Sequence, residues 1–291
     1  MPELPEVEVT RRRIEPLLVG RTIQRVRTTA DSYFFLTPPA KLRQKLRGRR
    51  VTALDRHGKY LLASLDDESR LLIHLGMTGQ LFSAGASSVR LLRKTGRAAL
   101  APESQRAFKP DEHTHFALAF DDGGPDVLFR DVRKFGKLAL LPAGESDPRL
   151  DKLGTDALAA DGALLFAASR RRRIPIKTLL LDQSVLAGAG NIYADEALFV
   201  AGVRPTRRSA RVTRREADAI IAALHRVLLR SIETGGSSIS DYVQPDGSDG
   251  AYQDERRVYA REGEPCSLCG APIRRLVIGQ RSAHYCAHCQ R

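Results

Sequence analysis

The chain has 291 residues, with 47 Lys or Arg against 34 Asp or Glu, which gives a formal charge of +13 and a pI near 10.0. This balance is typical of a surface that neutralises phosphates. Tryptophan is absent and aromatic residues make up 6% of the chain, so contact with duplex backbone is favoured over a base-stacking platform for single strands. The sequence shows no signal-peptide pattern, no apolar run of membrane-spanning length and no coiled-coil repeat, so we expect a cytoplasmic monomer.

The chain begins with an acidic, proline-containing stretch, Met1-Pro2-Glu3-Leu4-Pro5-Glu6-Val7-Glu8. Pro5 suits the first turn of a helix, whose positive end the glutamates favour. If the initiator methionine is removed, Pro2 carries a secondary amine with a pKa of about 8, which can attack an electrophilic carbon. Glu3 and Glu6 flank that amine and could move protons or hold a cationic intermediate. Taken alone, the stretch is more simply explained as a capped, acidic helix start.

Residues 51–141 are predicted to be mainly strands. Two hairpins are clearest, at 60–75 and 115–129, because runs of apolar residues flank turns rich in Asp and Gly. Antiparallel hairpins of this kind favour a β-sandwich. Within this half, residues 83–111 are rich in Gly, Ser, Arg and Lys without periodicity, which predicts a long basic loop.

A proline- and glycine-containing stretch at 142–150 predicts a linker, and the pattern after it becomes helical. Thr213 and Glu216 form a capping-box pattern ahead of an apolar helical face, and Gly235-Gly236 provides a stop. The predicted organisation is therefore a β-sandwich domain, a linker, a helical domain and a cysteine-containing module, at residues 1–141, 142–150, 151–245 and 246–291.

The turn Gly188-Ala189-Gly190 precedes a helix that is predicted to start at Asn191. A Gly-x-Gly turn lets the backbone approach a phosphate, and free amides at the helix start point outward. The local pattern fits an anion-binding turn and an ordinary loop between helices equally well.

The only four cysteines of the chain fall as Cys266-x2-Cys269-x16-Cys286-x2-Cys289. Two Cys-x2-Cys knuckles at this spacing predict one closed, tetrahedral Zn²⁺ site, which is structural because no coordination position is open. A pair of disulfides is the alternative, and an intracellular protein makes it the less favoured one.

Four features occur in order along the chain: the acidic proline start, Gly58-Lys59-Tyr60, the turn before Asn191-Ile192-Tyr193, and the cysteine module. Together they resemble the bacterial formamidopyrimidine-DNA glycosylase family over nearly the whole chain. Leu4 favours this branch over the related endonuclease VIII, which usually has Gly there. The resemblance implies an α+β multidomain fold: an N-terminal β-sandwich with flanking helices, a helix-two-turn-helix domain and a four-cysteine zinc finger.

The resemblance also implies the catalytic residues. Pro2 is the nucleophile that attacks C1′ of the damaged nucleotide and forms a Schiff base. Glu3 assists base loss and sugar opening, and Glu6 orients water or the amine. Lys59 donates a proton in β-elimination, for which a lysine near phosphate is physically suited. Arg281, in the finger between the two knuckles, donates a proton in δ-elimination and also binds phosphate.

Contacts with double-stranded DNA follow from the same resemblance. Met77, Arg133 and Phe135 correspond to the residues that fill the gap left by an extruded base. Phosphate contacts are implied for a second set: His113, Arg172, Asn191 and Arg281. Alone, Met77 and Phe135 would be assigned to the core, and Arg172 to a solvated arginine run.

The expected activity is therefore that of a bifunctional DNA glycosylase and abasic-site lyase on oxidised purines, followed by β,δ-elimination. Two alternatives stay open: an endonuclease VIII-like glycosylase for oxidised pyrimidines, and a non-enzymatic zinc-finger protein that binds damaged DNA. Two departures from the family pattern are visible, of which the first bears on the extent of DNA contact and the second on base preference. The segment between Met77 and His113 is long, and Ser240 stands in the region that closes over the lesion, where some members carry a basic residue.

Overall fold

The computed structural model of the chain describes residues 2–86, 110–239 and 242–291. Most of the predicted basic loop at 83–111 lies outside the described residues, and so does Ser240 of the lesion-closing segment. Among the residues that are described, no helix is both long and apolar enough to cross a membrane.

Two compact units make up the chain. The N-terminal unit consists of Met1–Pro148 together with Thr234–Gln253, and the C-terminal unit consists of Arg149–Glu233 together with Asp254–Arg291. This division differs from the predicted one, which grouped residues 234–245 with the helices. Gly235 and Gly236 turn the chain there, since their φ angles of +80° and +86° lie in the left-handed region that favours glycine.

The N-terminal unit is a sandwich of two antiparallel four-stranded sheets, as predicted. Their strand orders are β1-β6-β7-β5 and β2-β3-β4-β8. The elements are α1 (Leu4–Leu18), β1 (Ile23–Thr28), α2 (Pro39–Leu46), β2 (Val51–His57), β3 (Tyr60–Leu65), β4 (Arg70–His74), β5 (Gly79–Ser83), β6 (Thr114–Phe120), β7 (Val127–Asp131) and β8 (Lys137–Leu141). Both predicted hairpins are confirmed by their registers, in which Leu61 pairs with Ile73 and Phe116 pairs with Phe129.

One apolar core lies between the two sheets. Phe116 and Phe129 of the first sheet and Leu61 and Ile73 of the second belong to the same buried cluster. Helix α1 adds Val7, Ile14 and Leu18 to this cluster and contacts strands of both sheets, β2 and β3 on one side and β5 and β7 on the other. The start of α1 is therefore fixed to the rigid part of the unit.

The C-terminal unit is helical and carries a terminal hairpin. Its elements are α3 (Pro148–Asp151, whose first residue ends the first segment of the N-terminal unit), β9 (Thr155–Asp156), α4 (Gly162–Arg170), α5 (Ile176–Leu180), β10 (Leu186–Ala187), α6 (Asn191–Val200), α7 (Arg214–Glu233), β11 (Ile273–Ile278) and β12 (Arg281–Cys286). The predicted capping box of α7 is present: Thr213 N donates to Glu216 Oε2 at 2.8 Å, and Glu216 N donates to Thr213 Oγ1 at 3.2 Å. The helix ends at Glu233, just before the glycine pair.

Candidate active site and DNA-contact residues

The acidic start of the chain is buried and locked in place. Pro2 is buried, and Glu3, which is 4% exposed, forms the N-cap of α1 in a reciprocal capping box with Glu6. Glu6 is 2% exposed, and its Oε2 accepts the Glu3 backbone N–H at 2.8 Å. The peptide that follows Pro2 is therefore held by a carboxylate one helical turn further along.

A second segment of the same unit covers Glu6. The backbone N–H of Ser237 donates to Glu6 Oε1 at 2.9 Å. A Cβ atom on Gly236 would lie 2.9 Å from the Tyr242 ring and 3.2 Å from Glu6 Cγ, so only glycine fits there. Burial raises the pKa of Tyr242 well above its ordinary value, and the negative Glu6 raises it further, so Tyr242 remains neutral. The segment expected to close over a lesion, which begins at Ser237, is therefore hydrogen-bonded to Glu6.

Lys59 lies in the two-residue turn between β2 and β3, where His57 pairs with Tyr60. Gly58, the first residue of the turn, has a φ of +55°. Arg56 at the end of β2 donates from Nε to Glu8 Oε2 of α1 at 2.9 Å and from Nη1 to the Gly58 carbonyl at 3.0 Å. The Lys59 turn is therefore joined to α1 by a link that sequence reasoning missed.

Glu8 is surrounded by arginines. Its carboxylate accepts from Arg11 at 3.1 Å, from Arg12 at 2.7 Å and from Arg56 at 2.9 Å. Burial acts to raise the pKa of Glu8, but the hydrogen bonds from these three guanidinium groups outweigh it and lower the pKa to about 2. Glu8 is therefore ionised throughout the physiological range and cannot serve as a proton donor.

The three predicted gap-filling residues lie on two adjoining loops. Met77 follows β4 and is 37% exposed, whereas Phe135 follows β7 and is 41% exposed. The guanidinium carbon of Arg133 lies 4.7 Å from the centre of the Phe135 ring. A Cβ on Gly76 would come within 2.4 Å of the Gly136 nitrogen, so glycine lets the two loops touch. The exposed loop tips expected from the flanking glycines are present.

Asp131 organises both of these loops and was not identified from the sequence. Its carboxylate is fully buried and accepts hydrogen bonds from the Thr78 hydroxyl, from the Arg133 N–H at 3.2 Å and from the Gly136 N–H at 2.7 Å. Thr78 belongs to the loop of Met77, and the other two donors belong to the loop of Phe135. One carboxylate thus sets the spacing between the exposed Met77 and Phe135 side chains.

His113 lies beside this arrangement, at the entrance of β6. Its carbonyl accepts the Asp131 N–H at 2.9 Å, and its own N–H donates to Asp111 Oδ1 at 3.1 Å. The imidazole is half-buried, with Nε2 3.6 Å from a Glu112 carboxylate oxygen. The backbone of His113 is therefore fixed relative to the gap-filling loops.

In the C-terminal unit, Asn191 and the finger hairpin are adjacent. Asn191 is the first residue of α6, as predicted, and its Nδ2 donates to Ser282 Oγ at 3.4 Å. Arg281 precedes that serine and is exposed at the turn between β11 and β12. Gly279 and Gln280 form this turn with φ angles of +53° and +65°. Arg281 thus projects from the hairpin tip beside the start of α6.

Arg172 differs from the other predicted phosphate contacts because its guanidinium group already lies within hydrogen-bond distance of a carboxylate. Its Nη1 lies 2.6 Å from Asp182 Oδ2. Its neighbours Arg171 and Arg173 are exposed, whereas Arg172 itself is intermediate. A phosphate bound by Arg172 would have to share or replace Asp182.

A buried ion pair fixes the hairpin of Arg281, and sequence reasoning did not find it. Lys177 of α5 and Asp195 of α6 are both fully buried and lie 2.6 Å apart. The Lys177 ammonium donates to the Ser282 carbonyl, and Asp195 Oδ2 accepts the His284 backbone N–H at 2.9 Å. Ser282 and His284 both lie on β12, one and three residues after Arg281.

Glu196 provides a second anchor one residue further along α6. Its carboxylate accepts backbone N–H bonds from Arg257, Val258 and Tyr259 at 2.9, 2.9 and 2.8 Å. Burial raises the pKa of Glu196, although the three N–H donors act to lower it. The only sequence signal was a pair of acids inside an otherwise apolar helix, Asn191-Ile192-Tyr193-Ala194-Asp195-Glu196-Ala197-Leu198.

The four cysteines converge as predicted. Their Sγ atoms all lie within 4.8 Å of one another, and none takes part in a disulfide, so the disulfide alternative is wrong. The sulfurs of Cys266 and Cys289 are 3.9 Å apart, and those of Cys269 and Cys286 are 3.5 Å apart. Four thiolates at about 2.3 Å from one zinc ion would lie about 3.8 Å from each other, so the set fits one structural Zn²⁺.

Comparisons with known proteins identify all three parts of the chain. Residues 1–138 match the family model of the formamidopyrimidine-DNA glycosylase N-terminal domain, residues 153–243 match that of the formamidopyrimidine-DNA glycosylase H2TH domain, and residues 263–291 match that of the zinc finger found in FPG and IleRS. The formamidopyrimidine-DNA glycosylases of Cereibacter sphaeroides and Burkholderia thailandensis are 42% and 41% identical to this chain, and each alignment covers both proteins completely.

Solved structures give the same result. The crystal structure of the MutM (FPG) protein of Thermus thermophilus is 38% identical, with a TM-score of 0.82 over 99% of this chain and 98% of that one. A mutant Lactococcus lactis FPG in complex with a Fapy-dG containing DNA is 32% identical, with a TM-score of 0.84 over the whole of both chains. The chain belongs to the formamidopyrimidine-DNA glycosylase family.

Proposed function

We propose that the protein is a bifunctional DNA glycosylase and abasic-site lyase that removes oxidised purines, such as 8-oxoguanine and formamidopyrimidines, from duplex DNA. The observation that carries this proposal is the buried start of α1, where Pro2 is followed by the interlocked Glu3 and Glu6. Pure DNA binding would not need this arrangement. The substrate class is supported by similar proteins crystallised with Fapy-dG containing DNA and with carbocyclic 8-oxo-G containing DNA.

Base excision begins with Pro2 as the nucleophile. With the initiator methionine removed, Pro2 carries a secondary amine, whose unprotonated form is the nucleophile. The nitrogen attacks C1′, the glycosidic bond breaks, and the base leaves with a proton. The sugar ring then opens as O4′ takes a proton, which leaves an iminium ion between Pro2 and C1′. Glu3 supplies or relays these protons and stabilises the cation, while Glu6 fixes the Glu3 peptide.

Strand cutting follows from the iminium ion, because it acidifies the C2′ proton. Loss of that proton expels the 3′ phosphate in β-elimination, and a further proton loss expels the 5′ phosphate in δ-elimination. Lys59 acts as the proton donor of the first step. By the family resemblance, Arg281 acts as the donor of the second. The product is a one-nucleotide gap, and the released sugar fragment leaves Pro2 by hydrolysis.

Chemistry at C1′ requires a nucleotide that has left the base stack. Met77 and Phe135 are exposed apolar side chains on two joined loops, and Arg133 stacks over Phe135. An apolar wedge and a guanidinium group can replace the stacking and pairing that the orphaned base loses. We therefore assign these three residues to the gap, held at their spacing by Asp131.

Backbone contacts position the duplex. We assign them to His113, Asn191 and Arg281, with Arg172 as the weakest assignment because of its pair with Asp182. Phosphate contacts of this kind supply affinity and register without reading the sequence. Their number sets the salt dependence of binding.

The decisive experiment is borohydride trapping on a duplex with a single 8-oxoguanine opposite cytosine, after mass spectrometry has shown that Met1 is absent. We expect a covalent protein–DNA adduct whose cross-linked peptide begins at Pro2. Failure to form the adduct would exclude the lyase. A thymine-glycol duplex is the matched substrate control, and faster trapping on it would reassign the enzyme to oxidised pyrimidines.

A further inference from the structure

We infer that Arg56 is a positioning residue for Lys59, through a guanidinium group that joins the Lys59 turn to the catalytic helix. The inference rests on the proposed function and extends it to a residue outside the reacting set. Arg56 lies three residues before Lys59, at the end of β2, and its side chain is only 9% exposed. It bonds in two different directions, to Glu8 of α1 and to the carbonyl of Gly58.

The Gly58 carbonyl is what makes this bond specific for Lys59. The carbonyl belongs to the peptide group that contains the Lys59 nitrogen, so the bond from Nη1 at 3.0 Å fixes the plane of that peptide. The orientation of this plane, together with the φ angle of Lys59, sets the direction of the Lys59 Cα–Cβ bond. The turn favours glycine at position 58, because Gly58 has a φ of +55°. The pairing of His57 with Tyr60 fixes the two ends of the turn.

The other end of the link is equally well fixed. Glu8 lies on α1, five residues after Glu3, and α1 packs against the core of the sandwich. The carboxylate of Glu8 accepts from Arg56 Nε at 2.9 Å. A planar guanidinium can bond two acceptors at set angles, which a lysine ammonium at the end of a flexible stem does less rigidly. Arg56 thereby fixes the Lys59 turn relative to the residues that carry the proposed chemistry.

Arg56 is not needed to neutralise the charge of Glu8. Arg12 pairs with Glu8 at 2.7 Å and Arg11 pairs with it at 3.1 Å, so the carboxylate keeps two cationic partners when Arg56 is removed. The Arg12 side chain is 56% exposed, and its Nε donates to Glu8 rather than to the Lys59 turn. Arg12 therefore shares the ion pair with Arg56 but not the bond to the turn, which makes it a matched control.

The test compares Arg56→Gln, Arg56→Lys and Arg12→Gln in the full-length protein. Single-turnover cutting of a duplex with a preformed abasic site should fall about 10- to 100-fold in both Arg56 variants, as expected when a reacting group is misplaced by about 1 Å. Cutting by Arg12→Gln should remain at the wild-type rate. The affinity of all three variants for a duplex with an uncleavable abasic analogue should stay within about twofold, because no proposed phosphate contact is altered.

A double-mutant cycle with Lys59→Ala separates positioning from general damage. If Arg56 acts through Lys59, adding Arg56→Gln to Lys59→Ala causes no further loss of cutting, because the group being positioned is already gone. Multiplicative losses would overturn the inference, and so would equal rates for Arg56→Gln and Arg12→Gln. If Arg56→Gln does not fold, Arg56→Lys carries the same cycle. If wild-type protein forms the trapped adduct with DNA, the proposed function stands, whatever the result of the double-mutant cycle. If wild-type protein forms no adduct, the proposed function itself is wrong.

Discussion

The acidic start of α1 and the tip of the zinc hairpin are both held by buried carboxylates, but the functional group is presented differently in the two regions. At the start of α1, Pro2 is itself buried, and Glu6 accepts the backbone N–H groups of Glu3 and Ser237. At the hairpin, Asp195 and Lys177 are fully buried, while Arg281 is exposed. The covalent chemistry proposed for Pro2 requires a preorganised group shielded from water, whereas the phosphate contact proposed for Arg281 requires a solvent-facing cation on a rigid support.

The charges that balance the carboxylates differ as well. Glu8 on α1 has three arginine partners, and its pKa is lowered to about 2. Glu196, which holds the segment before the hairpin, accepts from three backbone N–H groups, and burial raises its pKa. The first region is therefore an ionic network around one helix, whereas the second depends on a few fully desolvated contacts. The two regions should respond differently to substitution, metal and pH.

The largest expected effect is that of an extra residue in front of Pro2. An N-terminal extension converts the proline amine into an amide without a nucleophilic lone pair, so cutting at an abasic site should fall by at least about 10³-fold. DNA binding should persist, since the exposed basic side chains are unchanged. Single-turnover cutting and a mobility-shift assay measure the two properties. Proteolytic removal of a cleavable extension is the control and should restore cutting, and an extended protein with wild-type activity would rule out Pro2 as the nucleophile.

The β11–β12 hairpin should lose its structure when zinc is removed. Structural zinc sites contribute about 10–16 kcal/mol of binding free energy, and an isolated two-stranded hairpin is marginal at best in water. Cys286→Ser should therefore reduce zinc content from one ion per chain towards zero and abolish tight DNA binding. The sandwich should remain folded, because its core contains no cysteine. Metal analysis, binding assays and circular dichroism test these three points, and a zinc-free protein with unchanged affinity would refute the supporting role of the finger.

Breaking the buried Lys177–Asp195 ion pair should strongly reduce the free energy of unfolding of the C-terminal unit. Asp195→Asn leaves Lys177 buried without its counter-charge, which typically costs about 3–5 kcal/mol. Chemical denaturation of the C-terminal unit measures the loss. The matched control is Asp218→Asn, since Asp218 pairs with Arg214 at 3.2 Å on the surface and its side chain is 54% exposed. Removing an exposed pair of this kind should cost less than about 1 kcal/mol, and equal losses for both variants would contradict the buried-pair argument.

The ionic network around Glu8 should appear in the acid stability of the N-terminal unit. Its folded pKa of about 2 lies below the ordinary value of 4.5, so its stabilising contribution is complete above pH 4.5 and is lost as the pH falls towards 2. The shift corresponds to about 3 kcal/mol. Glu8→Gln should therefore be less stable than wild type at neutral pH and should lose less stability across this window.

Urea titrations at several pH values between 2 and 6 measure this difference. Glu15→Gln is the control, because Glu15 pairs with the same Arg11 at 2.9 Å but its side chain is 43% exposed. Its pH dependence should follow the wild type. If the Glu8 variant also follows the wild type, the three-arginine network does not stabilise α1.

The same two regions show how much the sequence could predict. Local patterns were sufficient for the hairpins of the sandwich, the capping box at Thr213, the start of α6 and the cysteine site, because each depends on residues close together in sequence. The roles given to Pro2, Glu3 and Lys59 came from a resemblance and remain proposals. The supporting carboxylates were not found, since their partners lie far away: Glu8 bonds Arg56, 48 residues on, and Asp195 bonds His284, 89 residues on. Polar residues of this kind look solvent-exposed until tertiary structure buries them.

Removing the single exposed cation at the hairpin tip should have a small effect. Arg281→Ala should weaken binding to any duplex and reduce the slope of log affinity against log salt by about 0.9, the value of one phosphate contact. Arg274→Ala is the control: Arg274 is also exposed on the hairpin, but it pairs with Tyr285 at the end away from the turn. Binding measured over a range of salt concentrations should separate the two variants. Equal salt slopes for the two variants would mean that the hairpin binds DNA through its overall positive charge. The buried Lys177–Asp195 pair would then not position Arg281 for a specific phosphate contact.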